Sequence, residues 1–100
     1  MNFRFEWDEE KDAINKMKHG VSFNSAKMVF HDPMRVDIYD QEHSLFEDRW
    51  NTIGLHSCDI LSVIYTMRKG IIRIISARKA GKKEEEAYFY GYNNGKINRR

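Results

Sequence analysis

Nine side chains of this chain have types that could do chemistry together: Lys18, His19, His43, Arg49, Arg73, Arg78, Lys82, Glu84 and Tyr88. Cations dominate the set. Such types suit a metal-independent cut of RNA. That reaction needs a base to take the 2′-OH proton, cations to hold the extra charge on the phosphorane, and an acid for the leaving 5′ oxygen. Arg73 and Arg78 are the candidates to bind the scissile phosphate, with Lys18, Arg49, Lys82 and His43 as candidates to hold RNA around it. Either His19 or Tyr88 would move protons. Each also has a purely structural use. His19 beside Gly20 can satisfy carbonyls at a helix end, and His43 after Glu42 can sit in solvent. Tyr88 can be a core aromatic with its hydroxyl at the rim, and Arg49 can form a surface ion pair.

Other chemistries find less support. The four histidines, His19, His31, His43 and His56, lie 12 or 13 residues apart, and none has the i, i+4 spacing of a helical metal site. His56 and Cys58 are close but alone, and neither a nucleophile elbow nor a glycine-rich phosphate loop is present. No metal and no cofactor is expected.

The elements that must position these groups follow from pattern. Gly70 to Lys79, GIIRIISARK, has a buried-strand composition, because Ile71, Ile72, Ile74 and Ile75 are stiff at χ1 and suit a pleated surface covered on both faces. Arg73 inside that run needs water, a carboxylate or a phosphate. A strict period of two puts Arg73 and Arg78 on opposite faces, so a shared site requires Arg78 at the strand end or a bulge nearby. Phe3, Phe5 and Trp7 alternate with polar residues as a short first strand. Asp8 caps a helix to about His19 with Ala13, Ile14 and Met17 as its inward positions, and Gly20 ends it. Ser22 caps a second helix, with Phe23, Ala26, Val29 and Phe30 inward, closed by Pro33. Strands are expected over Met34 to Tyr39, Arg49 to His56 and Asp59 to Arg68, the last three strands forming an antiparallel meander, and a final helix over Gly81 to Tyr90. This order predicts an α+β fold. Its antiparallel sheet has four to five strands, with two N-terminal helices and one C-terminal helix packed on it.

At 100 residues the chain is expected to be one domain over 1–92, with a flexible tail at 93–100. One cysteine excludes an intrachain disulfide, no apolar run approaches a membrane span, and the charged N-terminus has no signal-peptide core, so a cytoplasmic location is expected. The net charge of +2 is unevenly spread. Residues 32–48 hold six acids against Arg35, a net of −5, while residues 69–100 hold nine Lys/Arg against three Glu, a net of +6. The basic third would attract nucleic-acid phosphates if folding gathers it on one face.

A resemblance runs through these residues. Trp7-Asp8 with Lys11, Lys18-His19-Gly20-Val21-Ser22-Phe23, Asp32-Pro33, Arg49, and Arg73-Ile74-Ile75-Ser76-Ala77-Arg78 with Glu84 and Tyr88 resemble the BrnT family of bacterial type II toxins. The resemblance implies a RelE-like fold and a ribonuclease that inhibits translation. It also implies neutralisation by a BrnA-type antitoxin whose DNA-binding domain brings the complex to promoter DNA, hence a hetero-oligomer. It places His19, Arg49, Arg73, Arg78, Glu84 and Tyr88 at matching positions, while the acidic run Glu84-Glu85-Glu86 departs from the family pattern. The alternative from another class is a non-catalytic basic module that binds RNA or protein.

Overall fold

The computed structural model describes residues 2–94. In chain order the elements are β1 (Phe5–Glu6), α1 (Glu9–His19), α2 (Phe23–Ala26) running into a 3-10 turn (Lys27–His31), β2 (Val36–Tyr39), a 3-10 turn (Gln41–His43), β3 (Trp50–His56), β4 (Asp59–Arg68), β5 (Ile71–Lys79) and α3 (Lys82–Asn94). The expected α+β architecture is the one observed. The five strands lie in the order β1-β5-β4-β3-β2, antiparallel except that β1 runs parallel to β5. Hairpin geometry explains the turns: Lys69 and Gly70 both take left-handed φ values, 53° and 80°, which match the twist of the flanking strands.

One face of the sheet carries the larger core, where Phe23, Ala26, Val29 and Phe30 pack on Leu61, Val63, Tyr65, Ile72, Ile74 and Ala77. Phe3, Phe5 and Trp7 close its edge. The opposite face carries a smaller core of Val36, Ile53 and Tyr88, supported by Met34, Ile60 and Ala80, under α3.

The caps of α1 are those expected: Asp8 accepts from the Glu10 and Lys11 N–H groups, and Gly20 takes φ 71°. Its orientation is not. Ala13, Ile14 and Met17 face outward, with Ile14 52% and Met17 89% exposed, and the buried positions are Asp12 and Asn15. Backbone groups elsewhere in the fold explain the inversion. Asn15 donates to the Val21 and Ala77 carbonyls, both at 2.8 Å, and accepts the Ala77 N–H at 3.1 Å. Asp12 Oδ1 accepts the Phe23 N–H at 2.9 Å. Polar side chains with their partners in place can be buried without an unsatisfied group.

A bulge sets the geometry of β5. Ile64 pairs with Ser76 and Tyr65 with Ile74, which leaves Ile75 as the extra residue. Ser62 and Thr66 lie on one face of unbulged β4 and pair with Arg78 and Arg73, so the bulge brings both arginines to that face. Of the expected tail, Asn93 and Asn94 belong to α3, and residues 95–100 lie outside the described residues. Among the described residues no helix is long and apolar enough to cross a membrane.

Candidate functional site

The helix α3 does not cover the whole face bearing Arg73 and Arg78. Beside it a groove of about 450 Å³ opens, lined by His43, Arg49, Asn51, Ser76 and Arg78, with Ile75 of the bulge in its floor. One wall comes from the end of β2 and the connection that follows it.

That connection is clamped shut at its base. The Asp40 N–H donates to the Arg49 carbonyl at 2.9 Å, and Ser44 Oγ accepts the Arg49 N–H at 2.9 Å while donating to the Asp40 carbonyl. The clamp holds His43 and Arg49 on the same groove. Within it, His43 Nδ1 meets both Asp40 carboxylate oxygens, at 3.1 and 3.0 Å. An ionised carboxylate only accepts, so Nδ1 carries the proton, and Nε2 of the neutral ring is left with a lone pair.

Arg78 is held from the other side. Its guanidinium donates twice to Glu84, both at 2.8 Å. The same carboxylate accepts the Gly81 N–H at 2.8 Å, closing the first turn of α3, and receives Asn51 Nδ2 at 3.2 Å and Ser62 Oγ at 3.3 Å. Burial alone pushes the Glu84 carboxyl up, but the hydrogen bonds from Arg78, Gly81 and Asn51 and the Arg78 charge outweigh it and hold the group below its ordinary range. Hydrogen bonding to Glu84 in turn raises Arg78 above the ordinary guanidinium value. Arg49 lies 3.5 Å from Glu47, and its buried Nε has no hydrogen-bond partner. The imidazole and both guanidiniums of the groove therefore each have a carboxylate beside them: Asp40 at His43, Glu47 at Arg49, Glu84 at Arg78. An incoming anion must share or displace these partners.

The fold thus brings together three of the eight site residues expected from sequence, His43, Arg49 and Arg78. Arg73 shares their face but pairs with Glu6 at 3.3 Å and does not line the groove. Lys18 and His19 are exposed in the last turn of α1, whose layer covers the opposite face of the sheet. Tyr88 is 5% exposed in the smaller core, and its hydroxyl donates to Asp32 Oδ2 at 2.7 Å. Lys82 is exposed at the head of α3. Sequence reasoning missed Asp40, Ser44 and Asn51. The signal for the first two was present as Asp40-x-x-His43-Ser44, a spacing at which a short turn can return one side chain onto another. Among the described residues no cluster of three or more His, Cys, Asp or Glu could hold a metal ion.

A family model described as "Ribonuclease toxin, BrnT, of type II toxin-antitoxin system" matches residues 7–84, a span that includes every groove side chain and Glu84. No curated protein matches the chain significantly.

Proposed function

The chain belongs to the BrnT ribonuclease toxins of type II toxin–antitoxin systems, and on that premise we propose that RNA is cut in the groove between β2, β5 and α3, with His43 as the base. The family supplies the substrate class and a cognate antitoxin. The observation that carries the assignment is the Asp40-clamped imidazole sharing one groove with two guanidiniums.

In this mechanism the ribose 2′ oxygen attacks the neighbouring phosphorus while Nε2 of His43 takes its proton. Asp40 holds the ring in the tautomer that leaves Nε2 unprotonated and stabilises the imidazolium that forms. Arg49 and Arg78 bind the phosphorane oxygens, Arg78 by giving up a hydrogen bond to Glu84. The bond to the 5′ oxygen then breaks, that oxygen takes a proton from solvent admitted by the open groove, and the product ends in a 2′,3′-cyclic phosphate. The side chains supply both the proton transfer and the positive charge, so the step needs no metal. Arg73 and Lys82 bind flanking phosphates. A BrnA-type antitoxin with a DNA-binding domain completes a hetero-oligomer in the cytoplasm, and promoter DNA is reached only through it.

The test is cleavage of RNA by purified protein in the presence of a chelator, with the 3′ end of the product identified. Wild type is expected to leave a 2′,3′-cyclic phosphate, and His43→Ala to cut about 10²–10⁴-fold more slowly with its thermal unfolding unchanged. A folded His43→Ala protein that cuts at the wild-type rate removes His43 from the chemistry.

A further inference from the structure

We propose that the outer edge of β2 seats the neutralising segment of the antitoxin, an extended stretch alternating apolar and Lys/Arg residues that adds as a sixth strand and walls the groove. The inference rests on the family reading only for the existence of the antitoxin; the place and the chemistry come from this chain.

Strand β2 is last in the sheet, and no described strand lies against its outer edge. Asp40 is hydrogen-bonded across to Arg49, and antiparallel pairs alternate, so Ile38 and Val36 turn their backbone groups inward to β3. Asp37 and Tyr39 therefore point N–H and C=O groups outward. Edges of this kind are ordinarily blunted by short length, charge, proline or a bulge; β2 is short and carries Asp37, but it has no lysine, proline or bulge, and the charge it does carry is negative. Ile38 and Tyr39 are 37% and 42% exposed, and the connection that leaves the strand presents Leu45 at 84% and Phe46 at 98%. An extended peptide docked on the edge would find backbone hydrogen bonds and apolar anchors side by side.

Charge decides between occupants. The segment 32–48 that contains β2 has a net charge of −5, so the same edge of a second copy is repelled, while an RNA backbone is drawn instead to the guanidiniums of Arg49 and Arg78 in the groove. A basic segment is attracted. Location supplies the consequence: Ile38, Tyr39 and Asp40 form a wall of the groove, so a strand added there narrows the way in for RNA.

Backbone hydrogen exchange on the full chain, free and bound to its cognate antitoxin, tests the proposal. The Asp37 and Tyr39 amides are expected to exchange at least tenfold more slowly in the complex. Glu42→Lys and Phe46→Ala, both at exposed positions, are expected to weaken antitoxin binding at least tenfold and to leave RNA cleavage unchanged. A complex that forms with both amides exchanging at the free rate overturns the proposal, as does protection of the same amides by a non-cleavable RNA in the antitoxin's absence. A cognate protein that does not bind at all overturns the family reading as well, and the two failures are thereby told apart.

Discussion

Replacing Glu84 by Gln separates two consequences of one carboxylate, and they move in opposite directions. Wild-type Glu84 receives two hydrogen bonds from Arg78, one from Gly81 and one each from Asn51 and Ser62. Glutamine keeps an oxygen for the Gly81 N–H but loses the charge. The Arg78 side chain is 46% exposed and that of Glu84 19%, so the ion pair has the strength of a solvent-screened one, about 0.5–1 kcal/mol. A negative charge in the first turn of α3 contributes about 0.5 kcal/mol more. The expected loss is about 1–1.5 kcal/mol, a fall in Tm of about 5–10 °C for a domain of this size. Glu84→Ala also removes the cap and leaves Asn51 short of a partner, which brings the loss to about 2–3 kcal/mol. RNA binding is expected to respond the other way. With its intramolecular competitor gone, Arg78 meets a phosphate without first giving up an ion pair, and about 1 kcal/mol returned tightens Kd about fivefold at low salt. The assays are thermal unfolding and fluorescence anisotropy with an RNA carrying a 2′-deoxy nucleotide at the scissile position. A Gln variant that is destabilised and binds RNA more weakly refutes the competition: Glu84 would then be what aims Arg78 at the phosphate.

Three further outcomes follow from the geometry of the fold. Because the folded-state pKa of Glu84 is lowered, its stabilisation is complete above the unfolded carboxylate value of about 4.3 and is lost as pH falls through the lower folded value, so acid titrations of wild type and Glu84→Gln should converge there. Gly54→Ala would place a Cβ 2.6 Å from Val29 Cγ1 and 3.1 Å from Arg35 Cβ, and overpacking of that kind should cost about 1–3 kcal/mol in denaturant unfolding. At equal expression Arg78→Ala should abolish growth arrest, whereas Arg73→Ala, paired with Glu6 outside the groove, should only weaken it; equal toxicity of Arg78→Ala and wild type would remove the groove from the reaction.

What the sequence disclosed was mostly local. Asp8, Gly20 and Ser22 announce helix ends because capping depends on a few neighbouring residues, and all three do so in the fold. The isoleucine run of β5 and the turns before it were equally readable. The parity of Arg73 and Arg78 even indicated that a shared face needs a bulge or Arg78 at the strand end, though only the pairing with β4 shows the bulge and locates it at Ile75. What failed was long-range. The inward face of α1 is chosen by Asn15 meeting Ala77, sixty-two positions away, and periodicity of apolar residues carries no information about such a partner. The same limit hides the surroundings of Tyr88, whose hydroxyl donates to Asp32, and of His19, whose helix lies across the sheet from Arg78. His43 was visible as a residue but not in its setting, because Asp40 and Ser44 become a clamp only when β2 and β3 pair.

The parallel pairing of β1 with β5 has a consequence for synthesis. Phe5 and Glu6 are made 67 residues before their partners Ile72 and Arg73 of β5. A growing polypeptide cannot complete its sheet edge, nor bring Arg78 beside Arg49, until that strand has emerged. A nascent chain that still lacks β5 therefore has neither that edge nor the Arg78 side of the groove.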